Sequence, residues 1–231
     1  MATDEHTKLC VRNNLWARYT IYVDGSPLIS TKYMANLPSD ILAPLAEDGK
    51  LTVKFDLFPE GLKTQEYQSS FYIATANEVI GEIVAGDGKV LEKDRVYDAG
   101  QFTFARDEFQ VADLSDINVM KCKQHVERAL VSLRGKKTES MPRNIRDFIN
   151  QSQKEIKAIP EDASSDDLEW VVGKKSIMCR VSERASQSKG LAEVWRIKGD
   201  SDNVAFIDAF VLAVSRQGDV YYLFDGQWNR W

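Results

Sequence analysis

The stretch VMKCKQHVERALVSL, residues 119–133, decides how this chain is read. Val119, Cys122, Val126, Leu130 and Leu133 recur at steps of 3, 4, 4 and 3. That spacing lines one face of an α-helix with apolar side chains. Ser115 or Asp116 can cap the start and Gly135 can end it, which predicts a helix over about 117–134. A second helix over about 141–159 follows. Ser140 is its cap, Pro142 sits in its first turn, Pro160 stops it, and Ile145, Phe148, Ile149, Ile156 and Ile159 form its stripe. The short polar connection 135–139 predicts an antiparallel pair. Each stripe needs an apolar surface to cover it.

On both sides of these helices the period is that of strands. Upstream, Tyr19, Ile21 and Val23 alternate with Arg18, Thr20 and Tyr22, and Leu51, Val53, Phe55 and Leu57 alternate with Thr52, Lys54 and Asp56. Asp24-Gly25-Ser26-Pro27 supplies a turn, with Leu28–Met34 as the returning strand. Ser39 caps a short helix through Glu47, and Gly49 stops it. Further strands are expected at Tyr67–Thr75, Val79–Ala85, Val90–Lys93 and Gln101–Ala105, with Gly86–Lys89 as a turn. This is the pattern of a β-rich sandwich or barrel-like unit.

Downstream, Glu161–Asp167 reads as a loop leading into a short helix at Asp166–Val172. Ile177–Glu183, Leu191–Lys198, Val204–Ser215 and Val220–Phe224 read as strands, with Arg216–Asp219 as the last hairpin turn. Ser201 or Asp202 could also cap a buried helix over Val204–Val214. The predicted class is α+β: a β-rich domain over 1–112, then an α+β domain over 113–231 with the helix pair packed on an antiparallel sheet.

Composition agrees with globular packing, at 43% hydrophobic and 28% charged over 231 residues. No run of 18 apolar residues occurs and MATDEHTKLC has no apolar leader core, so a cytoplasmic protein with no membrane contact is expected. Charge is uneven. Residues 1–120 hold 11 Lys+Arg and 19 Asp+Glu, and residues 121–231 hold 19 and 16, which sums to the net −5 of the chain. The acidic overall charge disfavours generic nucleic-acid binding, which needs many phosphate contacts.

Candidate chemistry is sparse. There are two histidines, His6 and His125. His125 lies three residues after Cys122 on the first helix, a spacing that could place imidazole beside thiol or hold half a metal site. The remaining cysteines, Cys10 and Cys179, stand alone, and Cys122 belongs to the apolar stripe, so three reduced core thiols are expected. Gly199–Asn203 has closely spaced oxygen ligands but lacks the glycine and closing glutamate of an EF-hand loop. No catalytic residue, metal site or cofactor is assigned.

Two features remain as binding candidates. Residues 121–157 carry ten Lys+Arg against four acids, including Arg134, Lys136, Lys137, Arg143 and Arg146. They suit an acidic protein partner, self-assembly or, more weakly, nucleic acid. The stretch FDGQWNRW, residues 224–231, holds two tryptophans. Trp228 is expected to finish the core and Trp231 to be at the surface, where aromatics often anchor interfaces. The expected function is non-enzymatic, through a protein–protein surface, as an assembly component or an inhibitor- or immunity-like partner. The alternatives are a small α+β-roll enzyme or ligand-binding protein with a pocket between helices and sheet, and nucleic-acid binding through the basic helices.

Overall fold

The computed structural model describes residues 9–13, 18–57, 69–74, 79–85, 96–101, 110–134, 141–151, 165–189, 194–198, 204–224 and 226–231. The chain divides into two compact units, Met1–Gln110 and Val111–Trp231.

The first unit contains β1 (Leu9–Asn13), β2 (Arg18–Val23), β3 (Ser26–Thr31), β4 (Ala35–Leu37), α1 (Ser39–Leu42), β5 (Lys50–Leu57), β6 (Ser69–Ala74), β7 (Val79–Ala85) and β8 (Val96–Gln101). They form two antiparallel four-stranded sheets, β4-β1-β6-β7 and β3-β2-β5-β8. Neither closes on itself among the described residues. Alternation sets the register: Tyr19 opposes Phe55, Ile21 opposes Val53 and Val23 opposes Leu51, and all six are buried. The β2–β3 hairpin turns through Asp24 and Gly25 at φ 44° and 77°. Positive φ at both positions suits a two-residue turn that follows the strand twist.

Asp24 also ties that turn to the one before β5. Its carboxylate accepts backbone N–H groups from Glu47, Asp48, Gly49 and Lys50 at 2.6–3.0 Å. Burial pushes this carboxyl up, but the four N–H donors outweigh it and hold it below its ordinary value.

The second unit contains α2 (Asp116–Arg134), α3 (Arg143–Gln151), β9 (Leu168–Val172), β10 (Ser176–Val181), α4 (Glu183–Lys189), β11 (Trp195–Lys198), β12 (Val204–Ile207), β13 (Ala209–Val214), β14 (Val220–Phe224) and β15 (Gln227–Arg230). An antiparallel sheet runs β15-β14-β13-β10-β9, and β11 pairs with β12 separately. Val111 bridges Ser215 and the Ala112 N–H donates to Val214 O at 2.8 Å, so these two residues belong with the second unit. Helix α2 lays Cys122, Val126, Ala129 and Leu130 into a core with Ile177, Cys179, Phe210, Leu212, Val214 and Tyr222, and α3 adds Ile145. The period-3.6 stripe thus finds its cover on the sheet.

Several local expectations are corrected. Asp166–Val172 is a 3-10 turn (Ser165–Asp167) followed by strand β9, because LEWVV pairs with β10 along its whole length. Short apolar runs do not distinguish helix from strand by periodicity. Val204–Ser215 is neither one strand nor a helix. It breaks at Asp208, sending β12 to β11 and β13 to β10 and β14. Glu183 opens α4, capped by Ser182, whose Oγ accepts the Ala185 N–H at 3.2 Å. The helix at Ser39 ends at Leu42, and strand β8 begins at Val96. Expectations on 86–93, 102–105, 152–159 and 199–203 lie outside the described residues.

Candidate functional site: the outward face of helix α2

The aromatic cluster comes first, because sequence singled it out. In β15, Gln227 pairs with Phe224 and Asn229 with Tyr222, while Trp228 pairs with Leu223. Tyr222 and Phe224 face the core. Alternation then sends Gln227, Asn229 and Trp231 to the core side and Trp228 to the other face. The order expected from sequence is thereby reversed. The Trp231 N–H donates to Val220 O at 2.9 Å. Its indole lies 5.2 Å from the His125 ring, 5.5 Å from Tyr222 edge-on and 6.5 Å from Phe210.

Burial holds the titratable groups of this cluster in their neutral forms. Burial pushes the Cys122 thiol up to about 12, against a small opposing effect of Lys121. Burial likewise pushes Cys179 up to about 12. Neither is a thiolate at neutral pH. Burial, then the charges of Arg128 and Lys121, hold His125 below its ordinary value. The Tyr222 hydroxyl is buried without a hydrogen-bond partner among the described residues, and burial raises its pKa. No group of three or more His, Cys, Asp or Glu is placed to hold a metal ion among the described residues.

The structure describes only part of the basic set. Arg134 ends α2, and Lys136 and Lys137 lie outside the described residues. Arg143 is exposed and pairs with Asp147 one turn on at 3.6 Å, while Arg146 is half-buried. Lys123 is engaged elsewhere, with its ammonium 5.5 Å above the Trp170 ring on β9.

What the structure brings together is a second line on α2, opposite the core stripe. Ile117, Met120 and Val131 are 71%, 55% and 68% exposed. With Gln124 and Glu127 they recur at steps of 3, 4, 3 and 4. At 100° per residue these five fall within roughly 80° of arc. Lys121 and Arg128 lie along one edge of that face, and both are exposed. The Lys121 ammonium also donates to Gly218 O. A shallow groove of about 300 Å³ runs along Gln124, Glu127, Arg128, Val131 and Ser132. Sequence reasoning missed this line because the buried stripe on the same helix satisfied the pattern. The second signal was present in the spacing of Ile117, Met120 and Val131, but only burial shows which stripe faces out.

Fold and site define an α+β chain of mostly antiparallel sheet, with a helix held to one sheet and carrying apolar residues on its outer face. No family model matches the chain, and no curated protein or solved structure matches it either. No helix among the described residues is long and apolar enough to cross a membrane.

Proposed function

We propose that this chain is a non-enzymatic protein that binds another polypeptide through the outward face of α2, as an assembly component or a partner-neutralising protein. One observation carries the reading: Ile117, Met120 and Val131 line a single exposed face of a helix whose opposite side is anchored in the core. Scattered exposed apolar residues are ordinary, but an ordered line of them is the form helix-docking surfaces take. Anchoring matters because a preformed helix pays little ordering entropy on binding. The high pKa of the buried thiols supports a non-catalytic role for them.

The test uses the full chain in its own cell, with a photo-activatable residue in place of Met120. It should give one discrete polypeptide adduct. Ile117→Asp plus Val131→Asp should abolish that adduct while leaving the melting midpoint unchanged, since both side chains are exposed. An adduct whose yield ignores the double substitution would refute the reading.

A further inference from the structure

Resting on that docking face, we infer that its occupant is an acidic-flanked amphipathic helix from a different polypeptide, and that a second copy of this chain is excluded by charge. The line from Ile117 to Val131 spans 14 residue steps, about 21 Å of helix, so the occupant contributes about four turns. Its apolar positions meet Ile117, Met120 and Val131, which leaves the flanks to decide identity.

Self-pairing fails on those flanks. An antiparallel pair placing Ile117 against Val131 of a second copy has its two-fold axis across the helices. That axis keeps each flank opposite its own copy, so Lys121 comes within one residue of Arg128 of the second copy along the shared flank, cation beside cation. A parallel pair puts Glu127 against Glu127, again like on like. A helix with carboxylates along both flanks meets Lys121 and Arg128 with opposite charge in either direction. Lys121 is pre-placed for this, because its bond to Gly218 O fixes the ammonium and leaves two of its three N–H donors for a carboxylate. Arg128 has five donors in a fork that matches a carboxylate. The sequence past the groove continues the sign: Arg134, Lys136 and Lys137 follow, and Glu127 is the one acid between 121 and 137. Such complementarity governs which partner binds and how fast it arrives.

The experiment titrates the full chain with a synthetic amphipathic helix of about 18 residues, leucine on one face and glutamate on the flanks, and with its lysine-flanked twin. The acidic peptide should bind about tenfold more tightly than the twin at low salt. That ratio should narrow to about threefold or less at 0.5 M salt. Arg128→Glu should remove most of the preference, and Arg128→Glu with Lys121→Glu should invert it; the single variant spares the Lys121–Gly218 bond should the double one lose stability. Equal binding of the two peptides overturns the inference, as does a preference that Arg128→Glu leaves unmoved. A sedimentation dimer that Val131→Asp dissolves also overturns it, because a second copy then holds the face. If neither peptide binds while the Met120 adduct persists, the acidic occupant is wrong and the docking face stands. If both fail, the face itself is wrong.

Discussion

Replacing Trp231 by alanine should destabilise the second unit by about 2 kcal/mol. Truncating a fully buried tryptophan costs about 3–5 kcal/mol, from lost transfer energy and the cavity left behind. Trp231 is half-buried against the core, touching His125, Tyr222 and Phe210 through its ring, so about half of that cost applies. A unit of this size shifts its melting midpoint by about 4 °C per kcal/mol, which gives a fall of about 8 °C. Trp228→Ala is the matched control. It removes the same side chain three residues away, from the opposite face of β15; Trp228 is half-buried too but is not packed on this core, so its loss should cost less than that of Trp231. The assay is circular dichroism melting of the full chain, with Ile145→Ala marking the second unit's transition. A greater loss in Trp228→Ala than in Trp231→Ala would refute the β15 register and the facing of Tyr222 derived from it.

Other outcomes follow from the same physics. Because burial, Arg128 and Lys121 hold His125 below its ordinary value, the folded chain protonates later than the unfolded one, whose value is about 6.5. The stability contributed by neutral His125 is whole above about pH 6.5 and is lost as pH falls through the lower folded value; His125→Gln should flatten the melting midpoint between about pH 7 and 5. Asp24→Ala removes the acceptor for four backbone N–H groups and should cost the first unit about 1–2 kcal/mol in urea melts, whereas Asp24→Asn, which keeps one carbonyl oxygen and tolerates positive φ, should lose less. The Asp24 contribution stands above the ordinary carboxylate range and disappears as pH falls through its lowered folded value. Thiol titration of the native chain at pH 8 should label Cys10 alone, with Cys122 and Cys179 reacting only after denaturation.

The parts of the fold that were legible in sequence are those whose pattern is local. Alternation in 18–23 and 51–55 puts Tyr19, Ile21, Val23, Leu51, Val53 and Phe55 in the core, but β2 is covered on its other face too, at Arg18 and Thr20, which period 2 alone does not show. The 3–4 spacing from Val119 onward places α2, and Cys122, Val126 and Leu130 are buried as the stripe requires. By local pattern the five residues LEWVV suit a helix, because nothing local opposes it. Pairing with β10, some ten residues away in register, makes them a strand.

The candidate site was less legible for the same reason. Ile117, Met120 and Val131 form as good a helical line as many buried ones, and only the sheet, by taking the opposite stripe, leaves them outside. Whether Trp228 or Trp231 enters the core turns on a single residue of register, set by Phe224 meeting Gln227 across the turn at Gly226. Sequence by itself determined the periods of the elements, the charge carried by each stretch and the scarcity of histidine. Tertiary structure decided which face of each element is covered, because burial depends on long-range neighbours that no local period specifies.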